Sequence, residues 1–205
     1  RAPRDLTCAA LMSAFVLATA NEHKAREMCQ VLEPLGIDLL SRPADVDDID
    51  ETESTLEGNS LLKARVLTAA TGLPAIADDT GLFIDALEGR PGVYSARYAG
   101  EHASFDDNVQ KVLRELDDVD MSRRGAHFRS VIAITYPDGT SWWVDGVLDG
   151  RILVSPVGEG GFGYDVIFAP TNSDRSLAQL AADEKNAISH RGRALRAFAA
   201  KLATS

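Results

Sequence analysis

A short apolar run that leads into two adjacent carboxylates constrains the fold of this chain more than any other stretch. Residues 75–77 are apolar, and Asp78, Asp79, Thr80 and Gly81 follow them directly. Short apolar runs bounded by polar residues are typical of buried strands, and open α/β sheets bind ligands at the carboxyl ends of such strands. We therefore expect a strand that ends at these acids. A solvated acidic turn is the competing interpretation, because these polar residues also favour turns.

The paired acids need a partner for their charge. Adjacent carboxylates repel each other unless a cation or a shared proton lies between them. Oxygen ligands suit Mg²⁺, which commonly takes one or two carboxylates together with phosphate oxygens. An acidic run at residues 45–57 could supply one more carboxylate, although most of its acids are expected to be solvated.

The composition excludes several classes of function. With 205 residues, of which 45% are hydrophobic and 25% charged, the chain has the composition of a soluble globular protein. Its net charge of −10 argues against binding a nucleic-acid polymer, since that affinity comes from Lys and Arg neutralising phosphates. Cys8 and Cys29 form neither a metal-binding spacing nor a disulfide framework, so a reducing, cytoplasmic compartment is expected. No apolar run reaches the roughly 18 residues of a membrane span, so no membrane partner is expected.

The N-terminus allows two interpretations. Two arginines precede a nearly uncharged stretch, residues 6–20, which closes in Ala-Thr-Ala and resembles a signal-peptide cleavage site. We favour the other interpretation, in which the end of this stretch is needed for function. Met12 is then a natural start, residues 1–11 are an N-terminal extension, and residues 12–205 form a single bilobed domain.

A strand, a turn and a helix are predicted next. Residues 14–18 have the pattern of a short buried strand, and apolar residues then recur at helical spacing until Gly36. The turn between them, residues 19–24, would place backbone N–H groups at a helix N-terminus, where anions bind. Lys24 would add a positive charge. Asn21 as an N-cap with Lys24 as a surface residue would explain the same pattern.

Two further segments carry polar residues at regular spacing. A helix is predicted to begin near Thr55, with Asn59 and Lys63 one turn apart beside its apolar face. An ordered loop at residues 89–98 would let Arg97 contact either an anion or a neighbouring acid. The apolar face of the helix is expected to consist of Leu56, Leu62, Val66 and Ala69.

A long antiparallel hairpin is predicted in the second half of the chain. Residues 126–136 and 141–147 are rich in β-forming residues, and Pro-Asp-Gly-Thr lies between them. Trp142 and Trp143 should point to opposite faces of the second strand. At least one of them could therefore lie on a subunit contact.

Two segments near the C-terminus could recognise a planar ligand. The glycine-rich stretch 158–165 would let the backbone approach a ligand closely, Phe162 could stack on a planar base, and Asp165 could accept a hydrogen bond. Alternatively, Phe162 belongs to the core. His190 and Arg191 follow Ser189, a natural N-cap, at a helix N-terminus, where the dipole disfavours cations. This conflict favours a ligand-binding role over a surface position.

Several weak motifs occur together in one order. They are Thr19-x-Asn21-x-x-Lys24, Asn59-x-x-x-Lys63, residues 75–81, Pro91-Gly92 followed by Ser95-Ala96-Arg97, residues 161–165, and Ser189-His190-Arg191. From about residue 14 to the C-terminus, the set resembles the Ham1/RdgB-type purine nucleoside triphosphate pyrophosphatases, also called inosine triphosphate pyrophosphatases. Each motif alone is weak, whereas the ordered set is specific.

The resemblance implies an α/β fold with a long mixed sheet flanked by helices, in two lobes around a central substrate cleft, and a homodimer. It also implies Mg²⁺-dependent hydrolysis of ITP, dITP or XTP between the α and β phosphorus atoms. The products are the nucleoside monophosphate and pyrophosphate, which cleanses the nucleotide pool. The preferred base among the three stays open.

The resemblance further implies roles for individual residues. Glu51 and Asp79 would hold the metal, and Asp79 would activate the water, although the sequence alone leaves Asp78 as a candidate. Thr80 would contact the substrate. The triphosphate would be bound by Thr19, Ala20, Asn21, Glu22, His23, Lys24 and Lys63. The base would be read by Phe162, Gly163, Tyr164, Asp165, Lys185, His190 and Arg191.

The chain departs from the family pattern in three places. Ala20 and Val166 replace a glycine and a proline, and Gly58 replaces an acid, which affects the expected metal shell. Two other functions stay open. A haloacid-dehalogenase-type phosphatase would need an acid two residues after Asp78, where this chain has Thr80. A catalytically idle nucleotide-binding protein could keep the same cleft.

Overall fold

The computed structural model describes residues 14–204, which form a mixed sheet with helices packed against it. The strands are β1 (Ala14–Leu17), β2 (Asp38–Leu40), β3 (Ala75–Ile84), β4 (Pro91–Gly92), β5 (Gly125–Thr135), β6 (Ser141–Ile152) and β7 (Phe168–Pro170). The helices are α1 (Glu22–Leu32), α2 (Leu56–Thr71), α3 (Phe105–Glu115), α4 (Ala182–Ile188) and α5 (His190–Leu202). Met12 and the extension 1–11 lie outside the described residues.

The strand order is β2-β1-β3-β5-β6-β7, and β4 pairs with β3 beyond the end of β1. β1 runs parallel to both β2 and β3, whereas the other pairs are antiparallel. The expectation of a mixed sheet flanked by helices is therefore confirmed. Within residues 14–204, no helix is long and apolar enough to cross a membrane.

The expected end of the central strand at the two acids is wrong. β3 continues to Ile84, so Asp78 and Asp79 lie in its middle. On one side, β1 pairs with β3 only as far as Ile76, and β4 pairs with it from Leu82. Within the described chain, no strand covers the edge of β3 between these points. The acids therefore lie at the carboxyl end of β1 rather than of their own strand, and both are buried, which excludes a solvated turn.

The two faces of the sheet pack against different helices. Ile76 belongs to a core cluster with α1 and α5, including Met28 and Phe198. Ala75 and Ala77 belong to a second cluster with side chains of α2. Successive side chains in a strand point to opposite faces. Asp78 therefore lies on the same face as Ile76, and Asp79 on the same face as Ala77.

The expected apolar face of α2 is wrong. The helix begins after Thr55, as predicted, and the Thr55 side chain caps the backbone N–H of Gly58. Leu56 is buried, but Val66 and Ala69 are exposed and Leu62 is only half-buried. The buried face instead mixes polar and apolar side chains, and besides Leu56 it consists of Asn59, Ser60, Lys63, Ala64, Leu67 and Thr68. The Ser60 hydroxyl donates a hydrogen bond to the carbonyl oxygen of Ala77 at 2.9 Å. This buried hydroxyl therefore has a partner where α2 packs against the sheet.

Three other local predictions are confirmed, although the second strand of the hairpin runs past residue 147 to Ile152. Asn21 caps α1, and Gly36, with a φ of 80°, terminates the turn that follows it. The hairpin of β5 and β6 pairs from Gly125 to Thr135. Trp142 packs against Phe198 with ring centroids 5.0 Å apart, whereas Trp143 is exposed, so the two rings lie on opposite faces.

The close contact between α5 and β6 provides a test of the packing. A Cβ atom at Gly146 would overlap the carbonyl oxygen of His190 and the backbone nitrogen of Ala194. Gly146→Ala should therefore lower the free energy of unfolding by about 1–3 kcal/mol, the usual cost of overpacking. Chemical denaturation measures this change. Asp149→Ala, at an exposed position of the same strand, is the control and should change it by less than about 0.5 kcal/mol. Equal stabilities of the two variants would contradict the packing.

Candidate functional site

The two central acids face different cation clusters because they alternate along β3. Asp78 points towards α1 and α5, where Lys24 and Arg191 contact it. Asp79 points towards α2, where Lys63 contacts it. The repulsion expected between adjacent carboxylates is thereby reduced, since each acid has its own counter-ion.

The cluster around Asp78 joins the N-terminal turn to the C-terminal helix. Lys24 Nζ lies 2.9 Å from Asp78 Oδ2, and an Arg191 guanidinium nitrogen lies 3.2 Å from the same oxygen. Arg191 also donates to the Thr80 hydroxyl at 3.0 Å. Burial alone would raise the pKa of the Asp78 carboxyl, but Arg191 and Lys24 outweigh burial and hold this pKa well below its usual range. Asp78 is therefore a weak base.

The cluster around Asp79 is centred on the ammonium group of Lys63. Its Nζ lies 2.9 Å from Asp79 Oδ1, 3.0 Å from Glu51 Oε1 and 2.9 Å from the carbonyl oxygen of Asp78. This last bond satisfies a backbone acceptor on the uncovered edge of β3. Arg97 contacts Glu51 at 2.8 Å. Of the two partners expected for Arg97, an anion or a neighbouring acid, the structure shows the acid.

The two carboxyls that share Lys63 differ in their affinity for protons. Burial, together with the nearby Glu51 charge, raises the pKa of Asp79 to about 6 despite its contact with Lys63. Burial also acts to raise the pKa of Glu51, but Lys63 and Arg97 outweigh it and lower this pKa to about 2. The pKa of Lys63 is raised, because Asp79 and Glu51 outweigh the effect of its burial.

The donor set at Glu51 and Asp79 fits a magnesium ion that also binds a phosphate ligand. Both carboxylates lie within 3.0 Å of one cationic group, Lys63 Nζ. Among residues 14–204, no group of three or more His, Cys, Asp or Glu side chains could hold a metal ion. A two-carboxylate site suits Mg²⁺, which keeps several waters and takes phosphate oxygens from its substrate.

Gly58, which stands where the family pattern has an acid, packs against the segment that carries Glu51. A Cβ atom at residue 58 would lie 2.7 Å from Cβ of Glu53, so a side chain here would push this segment away. The segment is fixed to α2, because the backbone N–H of Glu53 donates to Asn59 Oδ1 at 3.0 Å. The glycine thus allows the segment of Glu51 to lie close to the helix of Lys63.

The predicted phosphate turn lies beside these clusters. Asn21 Oδ1 accepts from the backbone N–H groups of His23 and Lys24 at 3.0 and 3.2 Å, so the N-cap interpretation is confirmed. The surface position proposed with it for Lys24 is wrong, since Lys24 pairs with buried Asp78. The Thr19 hydroxyl accepts from the backbone N–H of Asn21 at 3.2 Å. Ala20, Glu22 and His23 are exposed on the same turn.

A largely apolar pocket of about 630 Å³, including its opening, lies next to the Asp78 cluster. Phe162 is half-buried and lines the pocket, so its assignment to the core is wrong. The lining residues are Asn21, Lys24, Thr80, Leu82, Ser95, Ala96, Phe105, Asn108, Phe128, Phe162, Gly163, Tyr164, Asp165, Lys185, His190 and Arg191.

The glycine-rich segment is held in place by Asp165. This carboxylate accepts from the backbone N–H of Phe162 at 2.8 Å and from Lys185 Nζ at 2.6 Å. A Cβ atom at Gly161, whose φ is 68°, would overlap the carboxylate. Burial raises the pKa of Asp165, although Lys185 opposes this effect. Tyr164 is fixed by its hydroxyl, which donates to the carbonyl oxygen of Ser95 at 2.9 Å.

His190 is buried at the pocket, so a surface position for it is wrong. Its ring stacks on Phe128 with centroids 4.5 Å apart and planes 16° apart. Burial, Arg191 and Lys185 together lower the pKa of His190 well below its usual value, which keeps the imidazole neutral. His190 Nδ1 and Arg191 Nε are buried without a hydrogen-bond partner among the described residues.

Glu27 is a site residue that the sequence analysis missed. It pairs with Lys185 at 2.6 Å and with Arg191, and so joins two cations from different helices. The sequence did indicate that Glu27 could belong to the site, because it lies three positions after Lys24 and thus on the same face of α1. Phe105, Asn108 and Phe128 were missed as well, and their spacing in the sequence carries no comparable signal.

Comparisons with known proteins show which family and which fold this chain is similar to. Residues 15–201 match the model of the Ham1 family. The chain is 46% identical over 191 residues to a dITP/XTP pyrophosphatase from Streptomyces coelicolor, covering 91% of this chain and 96% of that protein. It is 48% identical over 186 residues to a dITP/XTP pyrophosphatase from Geobacter sulfurreducens, covering 90% and 94%. The structure of a HAM1 protein from Coxiella burnetii matches with a TM-score of 0.86 and 43% identity, covering 95% of this chain and 100% of that one.

The buried position of Glu27 provides a test of the cluster. Glu27→Gln should lower the free energy of unfolding by about 3 kcal/mol, because Lys185 and Arg191 would keep buried charges with one counter-ion fewer. Glu184→Gln is the matched control: Glu184 pairs with Arg175 at 2.8 Å with both side chains at least half exposed. Its effect should be about 0.5 kcal/mol or less. Equal effects in urea denaturation would mean that the Glu27 cluster does not contribute as a buried network.

Proposed function

The chain belongs to the Ham1 family, and we propose that it hydrolyses the purine nucleoside triphosphates ITP, dITP and XTP to the nucleoside monophosphate and pyrophosphate. The observation that carries the proposal is the adjacency of two features. Lys24, Lys63 and Arg191 converge with buried carboxylates at the gap in β3, and an apolar pocket with aromatic walls opens beside them. The converging cations suit a triphosphate, and the apolar pocket suits a purine base.

The phosphate chain lies along the turn of residues 19–24. The positive end of the α1 dipole attracts anions, and Lys24 and Lys63 add positive charge. Hydrolysis of a phosphoanhydride requires charge neutralisation and an oriented water more than covalent chemistry. Thr80 contacts the substrate from the same face of β3 as Asp78, because the two residues are two positions apart.

Glu51 and Asp79 would hold Mg²⁺, with the remaining ligands supplied by phosphate oxygens and water. When bound, the ion neutralises charge that develops on the phosphate oxygens. Asp79 accepts a proton from the attacking water. Asp78 is less suited to this role, because Arg191 and Lys24 lower its affinity for protons.

The base occupies the pocket against Phe162. Gly163 and Tyr164 form its wall, and Asp165 orients Lys185. Lys185, Arg191 and His190 line the same pocket. Lys185 and Arg191 are donors that suit the 6-oxo group of hypoxanthine or xanthine. Adenine presents a donor of its own at this position, which would leave the buried donors of the site unpaired.

Three wider points belong to the same proposal. The chain acts in the cytoplasm, where it removes damaged purine nucleotides from the precursor pool. Its single domain is bilobed around the substrate. It forms a homodimer, in which the exposed ring of Trp143 lies at or near the subunit contact.

The assignment of an enzyme is preferred to a catalytically idle nucleotide-binding protein. An idle protein would have no need of the buried arrangement of Glu51, Lys63 and Asp79, which costs desolvation energy. A haloacid-dehalogenase-type phosphatase is not favoured, because it would need an acid at position 80, where this chain has Thr80. Relatives named dITP/XTP pyrophosphatase at 43–48% identity support the enzyme.

The reaction is tested by its substrates and products. The purified protein with Mg²⁺ should release pyrophosphate from ITP, dITP and XTP, with a kcat/KM at least about a hundredfold above that for ATP. Coupled assays that report pyrophosphate and orthophosphate separately measure this, and the same reaction in EDTA is the control. Orthophosphate as the first product would refute the proposal.

The role of Asp79 is tested by a change that preserves its shape. Asp79→Asn should lower kcat for ITP by at least about a hundredfold, the contribution typical of a positioned base. Binding of ITP, measured by calorimetry in Ca²⁺, should persist. Asp145→Asn, on the neighbouring hairpin at a half-buried ion pair with Arg129, is the control and should leave kcat unchanged. Near-normal turnover by Asp79→Asn would remove this residue from catalysis.

A further inference from the structure

Phe105 and Phe162, which line the base pocket, meet a third ring, that of His23. The imidazole of His23 stacks on Phe162, with ring centroids 5.0 Å apart and planes 20° apart. The ring of Phe105 lies 5.9 Å from Phe162 and 6.3 Å from His23, at angles of 46° and 66°. All three distances are within the range of favourable aromatic contacts. The rings come from three separate segments: the first turn of α1, the first turn of α3, and the glycine-rich loop.

Phe105 stands at the boundary between the pocket and solvent. It lines the pocket, yet 45% of its surface is exposed. A phenyl ring in this position carries an unfavourable exposure to water, since exposed apolar area costs about 25 cal/mol per Å². An aromatic ligand in the pocket would cover more of it.

The backbone around Phe105 is held rigidly, so its ring is well placed to position a ligand. Ser104 and Asp107 form a reciprocal capping box at the N-terminus of α3. Buried Asn108 accepts from the backbone N–H of Ala99 at 2.7 Å and donates to the carbonyl oxygen of Ala96 at 3.1 Å. Since Ala96 and Asn108 both line the pocket, these bonds fix α3 to the pocket wall.

We propose that Phe105 is a further substrate-positioning residue, which forms with Phe162 an aromatic wall that holds the purine ring, and that His23, which packs on both rings and is not part of the pocket lining, supports this wall. This inference rests on the proposed function, since it assumes that the pocket receives the base of the nucleotide. It assigns α3 a role in recognition. The wall also joins base recognition to the phosphate turn, because His23 is the residue before Lys24.

The inference is tested with Phe105→Ala. Loss of the ring should raise KM for ITP about fivefold to tenfold and leave kcat within about twofold, as expected when binding is lost equally from ground and transition states. Phe105→Tyr should restore the wild-type KM, and Phe105→Leu, which keeps bulk without a ring, should lie between them. The capping box does not involve the Phe105 side chain, so the variants should fold, and their thermal transitions check this.

Two controls separate a contact with the base from a general effect. Inorganic tripolyphosphate has the phosphate chain and no base, so its inhibition constant should be the same for the wild type and Phe105→Ala. Met121→Ala removes a side chain of similar exposure, 43%, away from the pocket, and should leave KM unchanged. An unchanged KM in Phe105→Ala, or an equal weakening of ITP and tripolyphosphate, would overturn the inference.

The proposed function is tested separately, with the wild-type protein. A wild-type protein that binds ITP without releasing pyrophosphate would refute the function alone, and calorimetric titration of ITP would still test the role of Phe105. Release of pyrophosphate by the wild type, together with unaltered kinetics of Phe105→Ala, would refute the role of Phe105 alone.

Discussion

The alternation of side chains along β3 is the constraint on which the candidate site depends. Asp78 and Asp79 are adjacent in sequence, but the strand directs one to the α1–α5 side of the sheet and the other to α2. Each carboxylate can therefore be buried with its own cations. Two acids on one turn would have repelled each other, and one of them would have been protonated or exposed. The gap between β1 and β4 leaves this part of the strand accessible to Lys63, which binds the free carbonyl of Asp78.

These clusters are better explained by function than by stability. Removing two charges from water costs several kcal/mol per ion, which pairing offsets only in part, and well-packed apolar residues often stabilise a core as well. The chain nevertheless buries Lys63, Asp78, Asp79 and Arg191, each of which is less than a tenth exposed. Groups held in this way are already oriented when a substrate binds, so little reorganisation is needed during the reaction.

Arg191 connects the two parts of the site. Its guanidinium contacts Asp78 and Thr80 on the sheet, pairs with Glu27 on α1, and lies 5.5 Å from the ring centre of Phe162. A base in the pocket and a phosphate at the turn would therefore both affect the same side chain. In the proposed enzyme, the correct base would help to align the residues beside the phosphates, which is one route to specificity in turnover.

Local sequence signals determined the N-cap at Asn21, the stop at Gly36, the start of α2 after Thr55 and the β5–β6 hairpin, because each depends on residues close together in the chain. The ordered motifs also pointed to the residues that converge at the site. Only the tertiary structure decided that β3 continues through Asp79, that α2 buries Lys63 in place of Val66, and that Phe105 joins the site. These features depend on which surfaces meet across the sheet, and periodicity within one segment carries no information about its partner.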